Sequence, residues 1–169
     1  NAILAVSLAA NRAAAATSNI PVWKFIHEYY FKEYAPTFPR IMVNVVNGGK
    51  HAGWNFDIQE FMIIPTTDRP SESVRMASEI FHSIGNQLKK KKLSTLVGDE
   101  GGYSPLLASN EQVLDLILSS ADEVGYHDKD DFNLAVDAAA SEFYTPESGI
   151  YTFKKTGQTL TGKQLADYY

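Results

Sequence analysis

The strongest constraint on the fold is a repeated order along the chain, in which an apolar segment runs into a polar turn and an amphipathic helix follows. Residues 41–46 and 61–64 are β-branched and apolar enough for buried strands, bounded by the breaker NGG at 47–49 and by Pro65. Residues 132–137 form a third segment of this kind. This alternation predicts an α/β fold, most economically the opening of a β/α barrel.

Two amphipathic helices are predicted between these strands. Apolar residues recur at spacings of three and four after Pro70, which predicts a helix that ends in the lysines at 89–92. The second helix begins at a capping box formed by Ser109 and Gln112, and Gly125 closes it. The predicted apolar face of the first helix contains Val74, Ala77, Phe81, Ile84 and Leu88.

The sequence divides into a helical part, a linker and a β/α part. Residues 1–34 begin with an alanine- and leucine-rich helix, and residues 35–39 contain two prolines and are predicted to be a linker. The β/α part covers residues 40–169. Because both ends lie in predicted helices, we expect the chain to be a segment of a longer protein.

Composition excludes several classes of function. The 169 residues include no cysteine, so thiolate catalysis, disulfides and sulfur-ligated metals are excluded. There are 15 Lys and Arg against 20 Asp and Glu, a net charge of −5 that argues against nucleic-acid binding. The longest apolar run, at 2–10, is far shorter than the roughly 20 residues of a membrane span. We therefore expect a cytoplasmic protein without a membrane span.

The first candidate for chemistry is the turn at 47–53, NGGKHAG. Its three glycines allow the backbone to move and to approach a ligand closely. His51 in this turn could contact an anion or transfer a proton. The alternative is a surface loop that carries a solvated histidine.

Two acidic motifs are the other candidates. In GDEGG at 98–102, Glu100 is a candidate general acid, although adjacent carboxylates between glycines also occur in solvated turns. Asp137 ends an apolar strand and precedes three alanines, an arrangement that suits a ligand of a hard cation such as Mg²⁺. Glu142 is a weaker candidate that could equally be structural.

Four motifs together resemble the enolase (phosphopyruvate hydratase) family. The resemblance implies the last helices of a small α+β N-terminal domain in residues 1–34, then the opening part of an enolase-type β/α barrel. The alanine-rich stretch is similar to that of bacterial members. The motifs are VVNGGKHAG at 45–53, QEFMI at 59–63, VGDEGG at 97–102 and DAAASEF at 137–143.

The resemblance also implies a reaction and a role for each motif. Enolases reversibly dehydrate 2-phosphoglycerate to phosphoenolpyruvate in glycolysis and gluconeogenesis, with two Mg²⁺ ions stabilising the intermediate. By this resemblance, Glu100 is the acid that assists departure of the hydroxyl group. Glu60 helps place that group, Gln59 contacts the substrate, and His51 lies on a loop that closes over it. Asp137 is one Mg²⁺ ligand.

The same resemblance sets limits on what the chain can do alone. The family's catalytic lysine, two further Mg²⁺ carboxylates and the phosphate-binding side chains correspond to positions after Tyr169, so we expect the 169 residues alone to be inactive. Trp54 stands where many relatives carry a small or polar residue. The intact protein is expected to be a homo-oligomer, a dimer or larger.

Two alternative functions are compatible with the sequence. One is a superfamily relative that acts on a different carboxylic acid. The other is a non-catalytic segment, or a surface enolase exported without a signal peptide, that binds a host protein such as plasminogen through the lysines at 89–92.

Overall fold

The structure separates residues 1–39 from residues 40–169. It is a computed structural model that describes all 169 residues, and the two parts form separate compact units. The first unit contains α1 (Ala2–Thr17) and α2 (Val22–Tyr30), which pack against each other. Residues 35–39 have no regular secondary structure. Whether the first unit is the end of an N-terminal domain stays a prediction.

The second unit is built on a three-stranded antiparallel sheet. Its strands are β1 (Val43–Asn47), β2 (Glu60–Pro65) and β3 (Phe132–Asp137), and β2 lies between the other two. The predicted first strand began at residue 41, but pairing starts only where Val43 meets Ile63. Because β2 runs opposite to both neighbours, its first residue lies beside the last residues of β1 and β3.

A β-bulge in β1 decides which side chains share a face of this sheet. Asn44 pairs with Met62 and Asn47 pairs with Glu60, although three positions separate the two asparagines. The extra residue between Asn44 and Val46 makes this possible, since side chains otherwise alternate between the two faces. The face that carries Asn44, Asn47 and Glu60 is therefore polar at the end of the sheet where β2 begins.

The opposite face of the sheet packs against two helices and forms the main core. These helices are α3 (Pro70–Lys90) and α4 (Asn110–Glu123), which also pack against each other. Phe61 and Ile63 of β2 are fully buried in this core. The α/β prediction is thus confirmed, and within these residues the strands do not close into a barrel.

The helix predictions are correct in extent but wrong for one side of α3. Ser109 caps α4 by accepting a hydrogen bond from the backbone N–H of Gln112, as the capping box predicted. Val74, in contrast, is 59% exposed, and Phe81 is only partly buried, stacked on Tyr103. The buried face of α3 follows Ser73, Met76, Ala77, Ile80, Ser83, Ile84 and Leu88.

A second, smaller sheet lies at the end of the chain. It contains β4 (Tyr144–Thr145), β5 (Ile150–Thr152) and β6 (Thr159–Leu160), followed by α5 (Gly162–Tyr168). The small sheet and α5 share an apolar cluster, which we call the small-sheet cluster. Its buried members are Phe143, Phe153, Leu160 and Leu165.

None of the helices combines the length and the apolar character that crossing a membrane would require.

The packing of α3 gives a first prediction. Ile84→Ala removes a fully buried side chain and should lower the free energy of unfolding by about 2–5 kcal/mol. The control Val74→Ala, on the exposed side of the same helix, should change it by less than about 0.5 kcal/mol. Urea denaturation of the purified protein measures both, and similar losses for the two variants would contradict the helix orientation.

Candidate functional site

The candidate site begins with a row of three polar residues across the large sheet. Asn47 ends β1, Glu60 begins β2 and Asp137 ends β3, and Glu60 pairs with both neighbours. Cross-strand partners share one face of a sheet, so these side chains belong to the face opposite the helices. The row brings together two of the residues that the sequence predicted for the site.

The glycine-rich turn after β1 brings His51 to this row. Residues Gly49–Ala52 form one turn of 3₁₀ helix. Its start is fixed because the backbone N–H of Gly48 donates to Gln59 O at 2.8 Å and that of Gly49 donates to Phe56 O at 2.9 Å. The side chain of Phe56 leaves no space for a Cβ at Gly48, which would lie 2.1 Å from the ring.

Glu100 reaches the same point from a different part of the chain. The backbone N–H of Asn47 donates to Tyr103 O at 2.8 Å, and that of Tyr103 donates to Val45 O at 2.9 Å. These bonds fix the end of the GDEGG turn beside β1. The turn must be glycine-rich here, since a Cβ at Gly102 would lie 2.4 Å from Oδ1 of Asn47.

His51, Glu60 and Glu100 form one cluster, although the last of them lies 40 or more positions from the others in the sequence. One ligand atom of each residue lies within 4.8 Å of the others. Nδ1 of His51 is 3.4 Å from Oε1 of Glu100, a contact that becomes an ion pair when the imidazole is protonated. The side chains of His51 and Glu100 are 29% and 44% exposed, so the cluster is open to a ligand.

The carboxyl group of Glu60 interacts closely with that of Glu100. A hydrogen bond with Glu100 raises the pKa of Glu60 to about 7, and burial and the negative charges of Glu100 and Asp137 act in the same direction. The bond requires one carboxyl group to be protonated, because two carboxylates have no donor between them. Glu60, beside Glu100, can therefore hold a transferable proton near neutral pH.

Asp137 offers oxygen to a hard cation. One carboxylate oxygen, Oδ1, accepts a hydrogen bond from the backbone N–H of Ala139 at 2.9 Å, which orients the side chain. Asp137 is exposed at the end of β3, and its charge adds to the negative potential at Glu60. Carboxylate oxygens are the donors that Mg²⁺ prefers, so this residue fits one position in a Mg²⁺ site.

The other two sequence candidates lie at the edge of the cluster. Gln59 is buried, with 8% of its surface exposed, and its backbone N–H donates to Asp137 O at 3.2 Å. Glu142 forms an ion pair with Lys50, with Nζ and Oε2 3.2 Å apart. Glu142 therefore contacts the His51 turn, whereas the sequence left its role open.

Two side-chain amides near the cluster are buried, and their burial was not predicted from the sequence. The side chain of Asn47 is fully buried, and neither its oxygen nor its nitrogen has a hydrogen-bond partner. The side-chain oxygen and nitrogen of Asn44 are likewise buried and have no hydrogen-bond partner. Buried amides without partners are uncommon, and these two lie beside the turn that carries Glu100. Asn47 was interpreted only as part of a turn, because its burial depends on residues at 98–102.

The raised pKa of Glu60 predicts a pH-dependent stability. Unfolded glutamate loses its proton near pH 4.5 and folded Glu60 near pH 7, so the folded state binds more protons between these values. Stability should therefore fall as the pH rises through this window. Glu60→Gln should remove the fall and be more stable than wild type by about 1–3 kcal/mol at pH 8.

Denaturation at several pH values, in a buffer with a metal chelator, measures this difference. Glu147→Gln, at an exposed position in the β4–β5 turn, is the matched control and should keep the wild-type profile. A wild-type profile for Glu60→Gln would contradict the raised pKa of Glu60.

A comparison with known protein families gives a match over most of the chain. Residues 35–169 match the family model described as "Enolase, C-terminal TIM barrel domain". The match covers the large sheet, its helices and every residue of the candidate site. It confirms the prediction that these strands and helices are part of an enolase-type barrel.

Proposed function

The chain belongs to the enolase family, and from this premise we propose that the protein reversibly dehydrates 2-phosphoglycerate to phosphoenolpyruvate with Mg²⁺. The single observation that carries the proposal is the convergence of His51, Glu60 and Glu100 within 4.8 Å, an arrangement that raises the pKa of Glu60 to about 7. A dehydration needs a proton donor for the departing hydroxyl group, and this pair can supply it.

We assign the transferred proton to the Glu60–Glu100 pair. Glu100 lies on an exposed turn and is the member proposed to face the substrate hydroxyl group. Glu60 is fixed in β2 and retains its proton up to about neutral pH, because its pKa is raised to about 7. When the hydroxyl group leaves as water, the pair loses its proton and becomes a dianion. That charge is costly in a partly buried site, so the reverse hydration is assisted as well.

His51 and Gln59 are proposed to bind and orient the substrate. His51 is held on the Gly49–Ala52 turn beside Glu100. It can donate a hydrogen bond to an anionic group, and it attracts such a group electrostatically when the imidazole is protonated. The amide of Gln59 lies one position before Glu60 and carries no charge, so it can contact the substrate without disturbing the carboxyl pair.

Enolase-family enzymes generally use Mg²⁺, and Asp137 is the residue of this chain proposed to hold it. Bound Mg²⁺ would supply Lewis-acid stabilisation of the negative charge that develops on the substrate carboxylate. One carboxylate is not a complete site, and the resemblance assigns the two other carboxylate ligands and the catalytic lysine to positions after Tyr169. We therefore propose that the 169 residues alone are inactive.

The enzyme is also proposed to be a cytoplasmic homo-oligomer.

Replacement of the proposed acid tests the reaction. In the full-length protein, Glu100→Gln should lower kcat for 2-phosphoglycerate by about 100- to 10,000-fold, because the amide cannot donate the required proton. Formation of phosphoenolpyruvate, followed by ultraviolet absorbance, measures the loss. Glu147→Gln is the control and should retain wild-type activity.

Three further results would contradict parts of this proposal. Wild-type activity in Glu100→Gln would contradict the role of the acid. Turnover by the isolated 169-residue chain would contradict its predicted inactivity. Faster turnover of a different carboxylic acid would favour another reaction of the superfamily.

The role of Asp137 can be tested by metal binding as well as by rate. Asp137→Asn removes the charge of the proposed ligand and should weaken Mg²⁺ binding at least about tenfold, by calorimetry and by the Mg²⁺ concentration needed for activity. Asp130→Asn, an exposed site near the opposite end of β3, is the matched control. Equal Mg²⁺ affinity in the two variants would exclude Asp137 as a ligand.

A further inference from the structure

Trp54 adopts a backbone conformation that is unfavourable for a large side chain. It follows the His51 turn and has a φ of +63°, in the left-handed region, directly after Gly53 with the same φ. Non-glycine residues rarely adopt this conformation, and they keep it only where the surrounding structure compensates for the strain. We therefore expect the contacts of the Trp54 side chain to supply that compensation.

The indole ring of Trp54 is docked on the small-sheet cluster. It packs against the group formed by Phe143, Phe153, Leu160 and Leu165. On the ring lies the ammonium group of Lys154, 3.7 Å from the ring centroid, which is a cation–π contact. The backbone N–H of Trp54 also donates to Gly49 O at 2.7 Å, so the docked residue closes the turn that contains His51.

Other contacts attach the same stretch of chain on both sides of Trp54. Towards the small sheet, the buried carboxylate of Asp57 accepts a hydrogen bond from the backbone N–H of Lys155 at 2.7 Å. Towards Glu100, the side-chain amide of Asn55 donates to Oγ of Ser104 at 2.9 Å. Near His51 itself, the side-chain attachments are the exposed Lys50–Glu142 ion pair and the partly exposed His51–Glu100 contact, and exposed pairs contribute little.

We propose that Trp54 is a positioning residue, which holds the His51 turn against the Glu60–Glu100 pair by docking its ring between the small-sheet cluster and Lys154. The proposal rests on the proposed function for its kinetic part only. When the ring is docked, His51 stays beside Glu100 before substrate arrives. When it is undocked, the glycines of the turn allow other conformations. Part of the substrate-binding free energy is then used to order the turn.

Trp54→Gly and Trp54→Ala separate positioning from simple stability. Both variants lose the ring, but glycine adopts a positive φ without strain whereas alanine does not. The two should therefore share one functional defect while differing in stability, with the alanine variant the less stable. Trp54→Phe keeps an aromatic ring and should restore much of the wild-type behaviour.

Hydrogen exchange of the full-length protein tests the docking without any assay of activity. Backbone amides at 49–55 should exchange about tenfold faster in both Trp54→Gly and Trp54→Ala. Lys154→Met, which removes the cation but keeps the ring, should accelerate them about threefold. Lys163→Met, at an exposed position in α5, is the control and should leave the rates unchanged. Wild-type exchange rates in Trp54→Gly would overturn the proposal.

Steady-state kinetics with 2-phosphoglycerate tests the consequence for the site. KM should rise about tenfold in Trp54→Gly and Trp54→Ala with kcat retained, since saturating substrate closes the turn in any case. A KM that follows unfolding stability, or a lower kcat with unchanged KM, would overturn the positioning role. If wild-type protein does not turn over 2-phosphoglycerate, the proposed function fails, and the exchange rates alone decide whether Trp54 holds the turn.

Discussion

The direction of β2 is the constraint on which the candidate site depends. Because β2 runs antiparallel to both neighbours, its first residue, Glu60, lies between the last residues of β1 and β3. Functional side chains can then come from the beginning of one strand and from the ends of two others. The His51 turn attaches to this row through a backbone hydrogen bond to Gln59, directly before β2, and the Glu100 turn attaches through backbone hydrogen bonds to β1. Glu60 meets Glu100 at this end of the sheet, and the hydrogen bond between them, burial and the nearby negative charges raise the pKa of Glu60.

Much of the secondary structure could be predicted because its signals are local. The bounds of β3 are those predicted, and the capping residue Ser109 begins α4 as expected. The orientation of α3 could not be predicted fully, because apolar spacing is also compatible with a face that includes Val74. The direction of β2 was not predicted either, since strand pairing joins residues that lie far apart in the sequence.

The site was predictable as a set of motifs but not as a geometry. Glycine-flanked polar turns identified His51 and Glu100 as candidates, and the family resemblance supplied their proposed roles. What the sequence could not reveal are properties that arise from distant contacts. The pKa of Glu60 depends on Glu100, and the docking of Trp54 depends on a cluster about 90–110 residues later. The burial of Asn47 likewise depends on Gly98 and Gly102, which approach its side chain.

The bulge in β1 makes the length of this strand as important as its composition. Val45 is the extra residue of the bulge, so Asn44 and Asn47 lie on the same face of the sheet although three positions separate them. This is the face that carries Glu60. Removing one residue there would turn Asn44 towards the apolar core while leaving the NGG turn in register. Over evolutionary time, β1 should accept exchanges of side chains more readily than insertions or deletions.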